Sequence, residues 1–330
     1  MPSTTMTGKP VLVIHGGCGV IARNNMTVEY ERDARDALKN SLKAGLDILK
    51  AGGSAVDAVV AAVMFMEDIP HFNAGKGSVF TTSYTNELDA GIMDGSRGLA
   101  GGCSTVTRVK NPVLLAKRIM DSTPHAVLTG LGADAFAEKQ GLEMVDPKYF
   151  YTQHRFDQLT RLLQSTTING VVKVPPVPQL DHNINLKPVT SADEEPSDTV
   201  GAVALDLHGH LASASSTGGL TGKLPGRLSD SSIPGAGYWA DSKVAFSITG
   251  SGDFFLRRSA CHEMASIVKY GNLGVEDAAK KVIFESLSDC HAGVVAVDSD
   301  GRFCMPYNSE GMFRGFMNAD GDMDVRIWEY

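Results

Sequence analysis

The run Thr199-Val200-Gly201-Ala202-Val203-Ala204-Leu205-Asp206 determines how the rest of this chain is interpreted. Its apolar, partly β-branched composition predicts a buried strand, and that strand opens with a threonine. The segment 165–197 directly before it is polar, carries five prolines and shows no hydrophobic periodicity. A loop of this length within a compact domain is either functional or disordered, and a plain linker between domains is an equal alternative.

Apolar runs on both sides of Thr199 predict sheets covered by helices. Strands precede helices in each half of the chain, which favours stacked sheets, an α+β fold, over βαβ repeats. Ser54, three residues before Asp57, predicts a helix cap. The predicted strands are 11–14, 78–82, 88–93, 104–109, 199–206, 210–216 and 244–249, and two hairpins turn at 300–301 and 320–321. The predicted helices are 34–49, 55–66, 254–270 and 275–287, together with one that begins at Pro112 with Asn111 as its cap.

The composition excludes several classes of function. The chain has 330 residues, 43% of them hydrophobic, and a net charge of −8, so it fits a globular protein without a basic surface for nucleic acid. Five scattered cysteines without a CxxC pair favour a reducing compartment. No run approaches the ~20 apolar residues that span a bilayer, and residues 1–10 lack an apolar signal core. We expect a cytoplasmic protein whose partner is a small molecule, with no nucleic acid and no membrane.

The threonine at the start of the strand suggests a catalytic role. A threonine hydroxyl is a poor nucleophile unless a base lies beside it, and cleavage before Thr199 would make its own α-amine that base. An α-amine titrates near pH ~8 and is therefore available as a base close to neutrality. The alternative is that Thr199 is an ordinary β-branched residue at the start of a strand.

An ordered series of motifs resembles the plant-type L-asparaginase / isoaspartyl aminopeptidase group of N-terminal-nucleophile hydrolases. The resemblance covers nearly the whole chain, and it raises Thr199 to the favoured nucleophile. The residues that carry it are His15-Gly16-Gly17-Cys18-Gly19, 67–80, Glu87-Leu88-Asp89-Ala90, Met93-Asp94-Gly95, 199–206, Ser216-Thr217-Gly218-Gly219, Gly226-Arg227, Asp230-Ser231, Pro234-Gly235-Ala236-Gly237, Thr249-Gly250-Ser251-Gly252 and Asn308-Ser309-Glu310-Gly311-Met312.

The resemblance implies a fold and a maturation step. The fold is a four-layer αββα sandwich of the N-terminal-nucleophile type, built by residues 1–330 as a single domain. The chain cleaves itself between Asp198 and Thr199 into an α subunit, 1–198, and a β subunit, 199–330. The polar segment of about 165–198 then becomes the flexible tail of the α subunit, and two αβ units associate as a heterotetramer, (αβ)2.

The resemblance also assigns catalytic roles by matching positions. Thr199 attacks the side-chain carbonyl carbon of the substrate, and Thr217 holds and activates it. The Thr249 hydroxyl and the Gly250 N–H stabilise the developing oxyanion, where one such donor is typically worth ~3 kcal/mol. Asn73 supports the nucleophile from the α subunit.

Four further positions match the family's substrate-binding residues. Arg227 grips the α-carboxylate with its planar fork, and Asp230 accepts the α-ammonium, while Gly250 and Gly252 line the pocket. A surface salt bridge between Arg227 and Asp230 is the alternative, and the surrounding glycines favour the binding role. No cofactor is required; a structural Na+ on backbone carbonyl oxygens near Met66, Glu67, Phe72, Ala74 and Lys76 is a possibility that the resemblance raises.

The resemblance therefore predicts hydrolysis of L-asparagine and β-aspartyl (isoaspartyl) dipeptides. Ser229 and Ser232 stand where the family usually has Gly and Pro, and Asp198 and Gly252-Asp253 resemble glycosylasparaginases instead. Glycosylasparaginase, N4-(β-N-acetylglucosaminyl)-L-asparaginase, is therefore an alternative function. A second alternative is an unprocessed protein that binds aspartate-like ligands without turnover.

Overall fold

The computed structural model describes residues 9–165, 167–168, 171–172 and 199–329. Asp198 and most of the predicted tail, 165–198, lie outside the described residues. In the described part, no helix is both long and apolar enough to cross a lipid bilayer.

The described residues form helices on both sides of Thr199. The α-helices are α1 (Val28–Lys50), α2 (Ala55–Glu67), α3 (Pro112–Ser122), α4 (Gly130–Lys139), α5 (Gln153–Ser165), α6 (Gly252–Arg258), α7 (Ala260–Gly271) and α8 (Val275–Lys281).

The strands fall into two main sheets and one short hairpin. They are β1 (Val11–Gly19), β2 (Leu88–Asp94), β3 (Leu99–Val106), β4 (Val127–Thr129), β5 (Thr167–Ile168), β6 (Val171–Val172), β7 (Val200–Leu205), β8 (Leu211–Thr217), β9 (Tyr238–Ala240), β10 (Val244–Gly250), β11 (Ala292–Asp298), β12 (Phe303–Cys304), β13 (Gly311–Asn318) and β14 (Met323–Arg326).

The larger sheet has eight strands in the order β14-β13-β1-β7-β8-β2-β3-β4, and the smaller has four in the order β12-β11-β10-β9. All neighbours within these two sheets pair antiparallel except β3 and β4. The strand that Thr199 precedes, β7, therefore lies near the middle of the larger sheet. Every residue of β7 is buried, which explains why its sequence is apolar without alternation.

Alternate residues of the central strand β1 belong to two different hydrophobic cores. Leu12 and Ile14 of β1 pack with α1 and α2 in the first core. Val11 and Val13 point the opposite way and pack with Val203 in a second core, together with residues of β10 and β11. The two sheets therefore face each other, and α7 and α8 pack against the far side of the smaller sheet in a third core. The predicted α+β class, with two sheets and covering helices, is confirmed.

Three local predictions differ from the structure. Residues 78–82 form no regular strand, and only Thr81 makes an isolated bridge, to Lys223. Asn111 lies at the start of α3 as predicted, but its side chain donates to Asp68 instead of capping the helix. The predicted helix 254–270 is divided at Ser259, whose φ of 52° is left-handed. The cap by Ser54 is present, since its hydroxyl oxygen accepts from the Asp57 N–H.

Candidate active site

Thr199 and Thr217 lie side by side at one end of the larger sheet. The β7–β8 ladder pairs Val200 with Ser216, so the residues flanking that pair are brought together. The Thr199 hydroxyl donates to Thr217 Oγ1 at 3.1 Å, and both side chains are buried. Thr217 Oγ1 also accepts from the Gly219 N–H at 3.0 Å. Two donors thus converge on Thr217 and fix the direction of the Thr199 hydroxyl.

His15 holds the backbone of Thr199 from the neighbouring strand. Its Nδ1–H donates to the Thr199 carbonyl oxygen at 2.9 Å, and Nε2 lies 2.8 Å from Ser247 Oγ. Burial lowers the pKa of His15 to about 3, so the ring is neutral and Nε2 accepts from the serine hydroxyl. His15 is therefore a structural support for Thr199.

Thr249 and Gly250 end the strand β10, which packs against β7 and β8. Gly250 has a φ of 128°, and a β-carbon there would lie 2.1 Å from the carbonyl oxygen of His291. Both the left-handed backbone and the close approach require glycine at this position. The Thr249 side chain is fully buried, and its carbonyl oxygen accepts from the Cys18 thiol at 3.2 Å.

Arg227 and Asp230 bring buried, unpaired polar atoms into the same region. Arg227 Nη2 donates to Asp253 Oδ2 at 3.0 Å, whereas its Nε and Nη1 are buried without a hydrogen-bond partner among the described residues. Asp230 Oδ2 is also buried without a partner there, and burial raises the pKa of this carboxyl to about 7. Buried polar groups are normally paired, and a guanidinium beside a carboxyl has the chemistry to bind a molecule that carries both a carboxylate and an ammonium.

Two glycines lie against Arg227 and Asp230, and one of them also donates to Thr217. A β-carbon on Gly252 would lie 2.2 Å from Asp230 Oδ1, so any side chain there would displace the carboxylate. A β-carbon on Gly219 would lie 2.9 Å from Arg227 Nη1, while the N–H of the same residue donates to Thr217. Gly219 therefore lies between Thr217, which pairs with Thr199, and Arg227.

Asn73 forms hydrogen bonds with the turn that follows Thr217 and not with Thr199 itself. Its Nδ2 donates to the Gly219 carbonyl at 2.7 Å, its Oδ1 accepts from the Val79 N–H, and its backbone carbonyl accepts from the Gly218 N–H. The bonds to Gly218 and Gly219 fix the turn that follows Thr217, and the bond from Val79 fixes the loop that carries Asn73. Asn73 is thus a positioning residue in this structure.

Two buried carboxylates at the site, Glu67 and Asp89, were not predicted from the sequence. Glu67 Oε1 accepts from Ser216 Oγ at 2.6 Å, next to Thr217 in the chain. Asp89 Oδ2 accepts from the Ser229 N–H at 2.7 Å and so anchors the loop that bears Arg227 and Asp230. Both acids lie within quoted motifs, but Ser216 and Ser229 are more than a hundred residues away from them in the chain, and local spacing carries no signal for these contacts.

The two unusual serines fit this loop. Ser229 Oγ accepts from the Ser231 N–H at 3.3 Å, and the Ser232 hydroxyl donates to the Ser229 carbonyl at 3.1 Å. The two hydroxyls therefore form hydrogen bonds within the turn.

Two glycines of the loop 66–77 lie close to backbone carbonyl oxygens of the same loop. A β-carbon on Gly75 would lie 2.3 Å from the Glu67 carbonyl oxygen, and one on Gly77 would lie 2.0 Å from that of Phe72. Among the described residues, no three His, Cys, Asp or Glu side chains cluster as a metal site. Backbone carbonyl oxygens are hard ligands, which suit a cation such as Na+ better than a transition metal.

The family model for asparaginase matches residues 8–327 of this chain. The chain belongs to the asparaginase family. Among its relatives, this chain is 41% identical to the isoaspartyl peptidase of Escherichia coli, over 94% of this chain and 93% of the relative. It is 39% identical to the plant-type L-asparaginase of Pyrobaculum calidifontis, over 92% and 96%. It is 34% identical to the isoaspartyl peptidase/L-asparaginase of Bos taurus, over 92% and 91%.

Proposed function

We propose that this chain hydrolyses L-asparagine and β-aspartyl dipeptides with Thr199 as the nucleophile, after cleaving itself between Asp198 and Thr199. The observation that carries the proposal is the paired hydroxyls of Thr199 and Thr217 beside the unpaired buried atoms of Arg227 and Asp230. The relatives' names, isoaspartyl peptidase and L-asparaginase, support the same substrates.

The reaction begins when the α-amine of the cleaved Thr199 removes the proton of its own hydroxyl. The hydroxyl oxygen attacks the side-chain carbonyl carbon, and ammonia or an amino acid leaves with a proton returned by the amine. Water activated by the same amine then releases L-aspartate from the acyl-enzyme. Nucleophile and base both come from Thr199, so this chemistry needs no organic cofactor.

The rest of the site orients the substrate and stabilises charge. Arg227 holds the α-carboxylate and Asp230 the α-ammonium, with Gly252 leaving room between them. The Thr249 hydroxyl and the Gly250 N–H receive the oxyanion, and removing one such donor costs about 3 kcal/mol of barrier.

The larger organisation is also proposed. Cores on the outer side of each sheet and between the sheets support a four-layer αββα order of the N-terminal-nucleophile hydrolases. The turn at Gly75 and Gly77 supports a structural Na+ on the carbonyl oxygens of Met66, Glu67, Phe72, Ala74 and Lys76, which would hold the turn's shape. The family resemblance supports an (αβ)2 assembly.

The decisive experiment is the intact mass of the purified protein under denaturing conditions, before and after storage. We expect two fragments, 1–198 and 199–330, and a single chain for Thr199→Ala. Fragments that hydrolyse asparagine and β-Asp-Leu would support the proposal. Turnover of a β-aspartyl-glucosamine substrate instead would favour glycosylasparaginase. A single wild-type chain that binds aspartate without turnover would favour the binding protein.

A further inference from the structure

A second buried cation lies beside Arg227. Lys223 is 5% exposed, and its Nζ donates to the Glu87 carbonyl oxygen at 2.7 Å. That bond uses one of the three donors of an ammonium group. Among the described residues, no carboxylate lies within ion-pair distance of Lys223 Nζ. The Glu87 carboxylate accepts from the Gly226 N–H instead.

Lys223 and Arg227 approach the same point. A β-carbon on Gly219 would lie 3.1 Å from Lys223 Nζ and 2.9 Å from Arg227 Nη1. The two cationic nitrogens therefore lie on the same face of Gly219, the residue whose N–H fixes Thr217. Two buried like charges repel each other, and an anion that accepts from both would relieve that repulsion.

The loop holds Lys223 firmly against the rest of the site. Its carbonyl oxygen accepts from the Thr82 N–H at 2.9 Å, and its N–H donates to the Leu220 carbonyl at 3.0 Å. Burial lowers the pKa of the ammonium, although the carboxylates of Asp89 and Glu87 act in the opposite direction.

We propose that Lys223 is a second binding group for the substrate's α-carboxylate, placed so that one carboxylate oxygen accepts from Lys223 Nζ and from Arg227 Nη1. This inference rests on the proposed function, and it explains how the site would select amides that carry an α-carboxylate. Asp230 continues to bind the α-ammonium on the other side of Gly252.

The test compares two amides in wild type and in Lys223→Met. L-Asparagine carries the α-carboxylate, whereas 3-aminopropanamide has the same amide and ammonium without it. We expect Lys223→Met to lower kcat/KM for asparagine about tenfold, mainly through KM, and that for 3-aminopropanamide less than about twofold. If turnover of the truncated amide is too slow, its inhibition constant against asparagine gives the same comparison.

Matched variants separate binding from folding. Lys281→Met removes an exposed lysine and should change neither value. Self-cleavage and melting temperature are measured for every variant, and Lys223→Gln replaces Lys223→Met if the latter does not fold. Equal losses on both amides, or failure of both Lys223 variants to fold, would overturn the role of Lys223 alone. A processed wild type that hydrolyses no asparagine would instead overturn the proposed function.

Discussion

Asp230 is buried, and this environment disfavours the ionised form of its carboxyl group. Burial raises its pKa to about 7, although the nearby Arg227 acts in the opposite direction. The folded protein therefore binds a proton at Asp230 between about pH 4 and 7, where the unfolded chain has lost it. Stability falls as pH rises through that window, since the folded state holds the extra proton. The group proposed to bind the α-ammonium thus weakens the empty enzyme at neutral pH.

Asp230→Asn should therefore stabilise the protein and remove its activity. At pH 8 we expect an increase in the free energy of unfolding of as much as about 4 kcal/mol, fading below about pH 4. In the wild type, kcat/KM for asparagine should rise as pH increases through about 7. Urea unfolding between pH 4 and 8 checks the first expectation, with exposed Asp300→Asn as control. A variant whose stability gain is the same at both ends of that range would contradict this account.

The candidate site residues that could be predicted from the sequence are those that lie within short, recognisable motifs. The structure places Thr199 beside Thr217, and Gly219 beside both Thr217 and Arg227, while the catalytic and binding roles of these residues stay predictions. The contacts of Lys223 were not predictable, because its partners come from a turn and a loop fixed only by the folded sheet.

Glu67 shows how three elements meet behind the threonine pair. It ends α2, its Oε1 accepts from the Val113 N–H at the start of α3, and it accepts from Ser216 in β8. The helix-cap pattern predicted the right start for α3 but the wrong acceptor, because Glu67 takes the place expected for Asn111. Local sequence can mark a helix end, but it cannot show that another helix supplies the cap.

Glu67→Gln and Glu67→Ala should differ strongly in stability. Burial raises the pKa of Glu67 to about 8, so the carboxyl is largely protonated at pH 7 and an amide resembles it. We expect Glu67→Gln to stay within about 1 kcal/mol of wild type, and Glu67→Ala to lose about 3 kcal/mol because buried donors are left unpaired. Thermal unfolding at pH 7 measures both. Equal losses would show that Glu67 is ionised in the folded protein.

At the scale of the whole molecule, the predicted cut at Thr199 would divide the larger sheet in an unusual way. Strands β1, β2, β3 and β4 precede the cut, and β7, β8, β13 and β14 follow it. In the sheet they alternate: β14 and β13, then β1, then β7 and β8, then β2 to β4. The two fragments therefore share three strand-to-strand ladders within one sheet, as well as the cores on both of its faces.

The fragments should consequently stay together after cleavage. We expect 1–198 and 199–330 to elute as one species in size-exclusion chromatography under native conditions, and to separate only in denaturant. Thr199→Ala, as an uncleaved chain, provides the reference elution volume. Fragments that separate on dilution without denaturant would contradict the shared ladders.

The class of fold was predictable because strands and helices alternate in blocks along the chain. The order of strands was not, since β1 pairs with β13 and β7 across about 300 and 190 residues and no local pattern encodes such partners.

The alternation of strands has a consequence for how the mature enzyme would lose its structure. Before cleavage, unfolding involves one chain and its midpoint does not depend on how much protein is present. After cleavage, the same transition releases two molecules, so by mass action its apparent melting temperature should rise with protein concentration. Refolding would then require a second-order encounter between partners that were once covalently joined. Self-cleavage would thereby make the stability of the enzyme depend on its concentration, and at high dilution its lifetime would depend on the rate of unfolding.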